Sequence, residues 1–476
     1  MEKYDYDAII IGAGIGGLVC GCYLAKAGLK TLIVEKNSQP GGYCTSFARS
    51  GFKFDACGHS LGSLRNGGNI SNILRELNLH RKMKFIRHDP QDTIITSEGD
   101  IHFWNDLNKT MREFKVKFPK EASNIKRFFA FLNNCEGFSF NELRHCTFKD
   151  WLDKYFEDTR LKSILSLLIL GNVGAPASEV SAFTAVTVYK EFTLDGGYYP
   201  CKKSVGDLPR LLADRFMELG GKIIFDSLVK KIKVISKCVE GVYLDNKLIR
   251  ARYVVSNADC RQTFLKLVNS KMLNKTFIRN LKKMTPSCSM FILYLGLKAN
   301  LSNELKEGVT NWVIKDSYFK AASKKARKSD VRFSWYMIRL LNGKNSRLVA
   351  FTNAPFNNGD YWKRNKDLWI STFIKNIELL IPGLSDMIIF RDAATPQSLY
   401  NQTLNYRGAR CGWVASPEQL MVPGLTQASP INNLYLTGHW TTLNVGIPGS
   451  AYMGRDTAGI ISRKENKRRI NEFKDS

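Results

Sequence analysis

The sequence predicts an α/β protein of more than one structural unit, and three stretches carry the α/β prediction. "DAIIIGAGIGGLVCGCYLAKAGLKTLIVE" (Asp7–Glu35) reads as strand, glycine turn, helix and strand. "VGDLPRLLADRFMELGGK" (Val205–Lys222) is an amphipathic helix leading into short strands. "NNLYLTGHWTTLNVGIPGSAYMGRDTAGII" (Asn432–Ile461) repeats the strand, glycine turn and helix at the far end of the chain.

The first stretch places Gly12, Gly14 and Gly17 in GxGxxG spacing between an apolar strand and a helix, with Gly28 where a left-handed helix end belongs. In such a turn the first glycine bends the chain, the second lets the backbone approach a pyrophosphate, and the third lets helix and strand pack closely. The helix N-terminus then presents unpaired N–H groups and a positive dipole end to the phosphates. Glu35 ends the second strand, where a carboxylate can accept from the ribose hydroxyls of an adenosine and would repel a 2′-phosphate, so NADP is disfavoured. A second glycine pair follows in "NSQPGGYC" (Asn37–Cys44). A plain nicotinamide dehydrogenase has no need of that further turn, nor of a closing segment at the far end of the chain, and FAD is favoured.

In the second stretch Leu208, Leu211, Leu212, Phe216 and Leu219 share a helical face that stops at Gly220–Gly221. Strands "KIIF", "VKKIKVI", "EGVYL" and "ARYVVSNA" follow, the last ending in a loop at Asn257. The third stretch reads as a short strand, a loop with Gly438, Gly446 and Gly449, and a helix rich in small residues, whose backbone could close against the middle of a long cofactor.

Between these stretches lie aromatic helices, "IKRFFAFLNN" and "WLDKYFEDTRLKSILSLLIL", and strands, "SMFILYLGLK" and "RFSWYMI". Phe128, Phe129 and Phe131 fit a core better than a ligand wall. "SILSLLILG" suits either a buried helix or a membrane-dipping segment, being too short to span.

The chain has 476 residues, 44% of them hydrophobic, enough for more than one structural unit. No run of about 18 apolar residues occurs, and Met1 to Tyr6 leads into no apolar stretch, so a cytoplasmic protein is expected, with membrane contact peripheral. Its 11 cysteines include no CxxC pair, and buried reduced thiols are expected rather than a metal site. Lys and Arg number 70 against 43 Asp and Glu, a net charge of +27 that suits either an anionic membrane surface or a solvated lysine-rich exterior. The densest clusters, "KKARKSD" (Lys324–Asp330) and "RKENKRR" (Arg463–Arg469), lack the interleaved aromatics that stack bases, and no nucleic acid is expected. No HExxH, GxSxG or phosphate-loop lysine motif is present.

The segments "IIIGAGIGGLVCGCYLAKAG…VEKNSQPGG", "DGGYYPC…VGDLPRLLADRFMELGG…VVSNAD" and "LYLTGHW…GIPGSAYMGRDTA" resemble the FAD-dependent phytoene desaturase and carotenoid isomerase family, a branch of the wider flavin amine oxidase fold. "DAATPQSLYNQTLNYRGARCGW" (Asp392–Trp413) is similar to the carotenoid isomerase and retinol saturase side of that family. The resemblance implies a Rossmann-like FAD-binding domain of the discontinuous GR2 type, here 1–75, 205–265 and 400–465. It also implies an inserted mixed α+β substrate or lid domain, 76–204 and 266–399, and leaves 466–476 as a basic tail.

The candidate cofactor contacts are Gly12, Gly14, Ile15, Gly16 and Gly17 in the first turn, with Glu35, Lys36, Gly41, Gly42 and Tyr43 after it. Val229 and Asn257 follow from the central piece, and Gly438, Gly446, Ile447 and Gly449 from the last. Three places depart from the family: Tyr43 stands where Arg is common, Cys201, Lys202 and Lys203 where a glycine pair is common, and Asn444 where a glycine is common.

The expected activity is exchange of hydride at flavin N5 with carbon–carbon bonds of an apolar polyene or isoprenoid, as desaturase, isomerase or saturase. Other readings are an enzyme like the amine oxidases or protoporphyrinogen oxidases, or a non-catalytic flavin-binding protein at a membrane. No catalytic side chain is identified. His59 and His439, both in segments expected near the flavin, are read as structural or hydrogen-bonding residues.

Overall fold

The computed structural model describes residues 4–57, 60–134, 140–201, 203–298, 301, 304–323, 333–341, 346–441 and 446–475. His59, Lys202, the Lys324–Asp330 cluster and Asn444 lie outside them.

The apolar run at the N-terminus forms β1 (Tyr6–Ile11), the glycine turn leads into α1 (Ile15–Lys26), and the chain returns as β2 (Thr31–Val34), parallel to β1. The helix Asp207–Glu218, α2, then feeds β3 (Lys222–Ile224), β4 (Val229–Ile235), β5 (Cys238–Leu244) and β6 (Lys247–Ser256). The last piece adds β7 (Leu434–Leu436) and α3 (Gly446–Asp475). These strands form one seven-stranded sheet in the order β4-β5-β6-β1-β2-β3, with β7 also on β6.

β6 explains how three distant pieces become one sheet. Its first half pairs antiparallel with β5, Arg250 opposite Gly241, while from Ala251 onward it runs parallel to β1, and its last three residues also pair parallel with β7. Burial follows the pairing: the antiparallel half is partly exposed, and Tyr253 to Ser256 are buried. β4 closes one edge with exposed Lys230 and Lys231 and two irregular registers, features that discourage a further strand from adding there.

Every residue of α1 from Ile15 to Cys22 is buried, as expected of a helix apolar on all sides. α2 and α3 cover it. At Gly454 of α3 a side chain would place its Cβ 2.4 Å from the Gly16 carbonyl, so the two helices meet at their backbones. α3 also continues through 466–475, so the stretch set apart as a basic tail is the end of a helix.

A second seven-stranded sheet runs in the order Ile388–Ala394, Ser289–Leu297, Ser346–Ala354, Trp335–Leu341, Thr310–Ile314, Asp92–Ile95, Ile101–Phe103. Strand Ser289–Leu297 is buried at every position. Alternation divides it: Phe291, Leu293 and Leu295 face Trp362, Trp369 and Phe373 of helix Gly359–Glu378, and Met290, Ile292 and Tyr294 join the core of the helices on the other side. That second core contains Phe128 and Phe129, with Phe131 against it, so these phenylalanines are structural. "SILSLLILG" lies in the helix Thr159–Val173, capped by Asp158 and ended by Gly174 at φ 77. Its Ile164, Leu165, Leu167, Leu168 and Ile169 are buried in this core, which corrects the membrane-dipping alternative. Among the described residues no helix is long and apolar enough to cross a membrane.

One carboxyl is built into this lobe at a cost. Asp92 is buried, accepts a hydrogen bond from Trp312 Nε1 at 2.8 Å, and burial pushes it up from 3.8 to about 7. Between those values the folded protein binds the proton that the unfolded chain has released. Stability therefore falls as pH rises through this window, by on the order of 1.4 kcal/mol per pH unit at most. Asp92→Asn is expected to raise the melting temperature at pH 8 and to change it little at pH 5. Equal shifts at the two pH values would rule this titration out.

Candidate functional site

A cavity of about 510 Å³ lies over the C-terminal ends of β1 and β2 and extends to residues of the second lobe. That volume is in the range of small-molecule and cofactor sites.

Its floor is the first glycine turn. Gly12 has φ 97, and a Cβ on Gly17 would stand 2.2 Å from the Gly12 carbonyl oxygen, so the turn closes only with hydrogen at that position. Gly14, Ile15 and Gly16 line the cavity, and no side chain caps the start of α1. Its first N–H groups are left for a ligand. Gly17 lies beneath the turn and is not part of the lining.

Ala13 ties the turn to its neighbours. Its N–H donates to Glu35 Oε2 at 2.7 Å, and its carbonyl accepts from Gly41 N at 2.9 Å. Glu35 Oε1 accepts from Asn37 N at 2.9 Å and Asn37 Nδ2 at 2.8 Å. Thus Glu35, 5% exposed, holds the turn itself while still lining the cavity. Lys36 Nζ donates to Asn37 Oδ1 and to the Asn401 carbonyl, both at 3.0 Å, and burial lowers its pKa.

Gly41, at φ 124, and Gly42, at φ 58, make the second turn, and both line the cavity with Tyr43. Val229 lines it beside Leu228 and Lys230, and Asn257 supports the first turn, its Nδ2 donating to the Gly12 carbonyl at 3.3 Å. From the last piece, Gly446 and Ile447 line the cavity. Gly438 is absent from the lining: it sits under Gly16, packed against Asn257. Gly449 belongs to the first turn of α3 rather than to a loop, and it too is absent from the lining.

The Tyr43 hydroxyl donates to the Ala409 carbonyl at 3.1 Å, its ring stacks on His439 with centroids 6.1 Å apart, and burial raises the phenol's pKa. Trp440 Nε1 donates to Asn405 Oδ1 at 2.7 Å, which turns the Asn405 amide nitrogen toward His439 Nε2, 3.3 Å away. His439 Nε2 is thereby an acceptor, and burial lowers this imidazole to about 4. Both side chains are neutral at neutral pH.

Other lining residues carried no signal that singled them out. Asn172, Val188, Phe192, Met290 and Phe351 come from the second lobe, and Gln262, Lys266, Thr403, Asn405, Arg410 and Cys411 from the chain around the first. The one available sign was "GARCG", where Gly408 (φ 61) and Gly412 (φ 70) bracket Arg410 and Cys411.

The site fits an anionic dinucleotide. Among the described residues the lining holds a single carboxylate, Glu35, against Lys36, Lys230, Lys266 and Arg410; Gly14 and Gly17 leave no room for a Cβ, and Gly12 has φ 97. Cys20 and Cys22 are fully buried and in no disulfide, and burial raises both thiols.

Comparison with known proteins agrees. Residues 15–462 match the family model for flavin containing amine oxidoreductases. Prolycopene isomerase 2 of an Oncidium hybrid cultivar is 24% identical over 97% of this chain and 83% of its own length. All-trans-retinol 13,14-reductase of Danio rerio is 23% identical over 97% and 86%. A lycopene-forming phytoene desaturase of Pseudescherichia vulneris is 23% identical over 95% and 98%. An oxidoreductase from Methanosarcina mazei has the same fold, with a TM-score of 0.68 at 15% identity, covering 94% of this chain and 99% of its own. The chain belongs to the flavin containing amine oxidoreductase family and is an FAD-dependent oxidoreductase.

Proposed function

We propose that this oxidoreductase acts on carbon–carbon bonds of an apolar polyene or isoprenoid. The observation that carries the reading is the wall contributed by the second lobe: Val188, Phe192, Met290 and Phe351 face the cavity, with no carboxylate among them. The relatives named for prolycopene, retinol and phytoene point the same way.

In this reading the FAD-binding unit comprises 1–75, 205–265 and 400–465, and the substrate lobe 76–204 and 266–399. Gly12, Gly14, Ile15, Gly16 and Gly17 seat the diphosphate on the start of α1. Glu35 and Lys36, with the backbone at Val229 and Lys230, hold the adenosine. Gly41, Gly42, Tyr43, Asn257, Gly446 and Ile447 flank the rest, while Gly438 and Gly449 position backbone behind it. When bound, FAD supplies a centre that accepts or returns a hydride. The chain's own contribution is position and dryness: the apolar wall excludes water, and Tyr43 and His439 stand beside the site as neutral groups. No side-chain acid or base is assigned. The +27 charge supports delivery of such a substrate from an anionic membrane surface.

The experiment is anaerobic. Oxidised and photoreduced holoenzyme are each mixed with a cis-polyene, and the blue absorbance of the flavin and the mass of the product are followed. Bleaching of the oxidised enzyme with loss of two hydrogens marks desaturation. Reoxidation of the reduced enzyme with gain of two marks saturation, and a product of unchanged mass marks isomerisation. Bleaching by putrescine or benzylamine, with the polyene inert, would overturn the reading in favour of an amine oxidase. Inertness to both would leave a flavin-binding protein.

A further inference from the structure

On the second-lobe side of the cavity Val188, Phe192, Met290 and Phe351 are joined by the amide of Asn172 and one charge. Arg410 is 7% exposed and lines the cavity. Its Nη2 donates to the Leu170 carbonyl, and its Nε and Nη1 have no hydrogen-bond partner. Its guanidinium lies 5.4 Å from the Phe351 ring centroid and close to Gly174. Its charge reaches the thiols of Cys57, Cys288 and Cys411, which burial raises and so keeps neutral. Among the described residues no carboxylate pairs with Arg410.

The position is held by backbone. Arg410 N donates to the Cys288 carbonyl at 3.4 Å, Cys411 N to Ser287 Oγ at 2.9 Å, and Cys411 Sγ to the Asn172 carbonyl at 3.2 Å. Among the described residues Arg410 has no carboxylate partner, and an unpaired buried cation is costly.

We propose that the carboxylate of the substrate completes Arg410, so that the substrate is a polyene or isoprenoid acid rather than a pure hydrocarbon. This rests on the reading of the site as a polyene chamber. The cofactor's phosphates are a poorer match, since Lys36, Lys230 and Lys266 border the first sheet, whereas Arg410 packs on Leu170, Gly174 and Phe351 of the second lobe.

The test uses FAD-loaded protein with all-trans-retinoic acid and its methyl ester as probes, their dissociation constants read from quenching of tryptophan fluorescence at neutral pH. The wild type is expected to bind the acid about 10- to 100-fold more tightly than the ester, the range of a hydrogen bond to a charged group. Arg410→Gln is expected to lose that preference, and Arg410→Lys to keep part of it. Equal binding of acid and ester by the wild type overturns the assignment and leaves the polyene reading standing, whereas binding of neither removes both. A preference that survives in Arg410→Gln also overturns it. If Arg410→Gln purifies without FAD and the wild type shows no preference, the guanidinium serves the cofactor instead. Should that variant not fold, the acid-to-ester ratio of the wild type decides.

Discussion

Gly17→Ala is expected to give a folded but colourless protein. A methyl group here meets the Gly12 carbonyl at 2.2 Å, and Asn257 Nδ2 at 3.2 Å, so neither the turn nor its support can stay in place. The carbonyl is backbone, fixed by β1 on one side and by the bond from Gly12 N to the Val34 carbonyl, 2.8 Å, on the other. Relief requires α1 to withdraw from the strand, which moves the N–H groups away from the phosphates and costs about 1–3 kcal/mol of overpacking. Flavin content is expected to fall at least about tenfold, the equivalent of 1.4 kcal/mol in binding. Far-UV circular dichroism should change little, because no strand of the second sheet pairs with this unit. Gly28→Ala is the control: that glycine has φ 78 but nothing within 4 Å of its Cβ, so only strain of about 1–2 kcal/mol is added and the protein should stay yellow. Full flavin content in Gly17→Ala would show that this close approach does not shape the site.

Trp312→Ala is the largest expected loss of stability. The indole is fully buried and lies so close to helix Thr159–Val173 that a Cβ on Gly171 would be 2.1 Å from it. Trp335 and Phe351 pack beside it, at 6.3 Å and 6.0 Å between centroids. Truncation removes this packing at about 3–5 kcal/mol. It also takes the Nε1 donor from Asp92, which adds about 1–3 kcal/mol once that carboxyl is ionised. The loss should therefore be greater at pH 8 than at pH 5. Trp312→Phe separates the two effects by keeping most of the packing and losing only the donor. Because Gly171 and Phe351 both line the cavity, turnover is expected to fall with stability. Urea unfolding at the two pH values checks this, and a loss without pH dependence would detach Asp92 from the indole.

The first βαβ unit was legible because each of its signals is local: an apolar strand, glycines at fixed spacing, a helix and an acid at the end of the next strand. The helix Asp207–Glu218 and the strands after it were legible for the same reason. What could not be read depends on contacts between distant residues. Phe351 and Met290 are ordinary strand residues until the fold turns them toward the cavity. Arg410 gains its meaning only from Leu170 and Gly174 at the end of one helix and Phe351 of a distant strand. Glu35 was read as a ribose ligand from its place after β2, yet both its oxygens also bind backbone or side-chain amides of Ala13 and Asn37, which no spacing rule reveals. Gly449 illustrates the opposite error, a glycine assigned to a loop because glycine is common in loops, where the helix had already begun.

The most direct measurement is a crystal structure of the yellow protein. Density for one FAD per chain is expected in the cavity shared by β1, β2 and the second lobe, with its diphosphate on Gly14 to Gly16 and its ring system bordered by Tyr43 and His439. A flavin bound elsewhere, or side chains of the chain itself filling that space, would contradict the account.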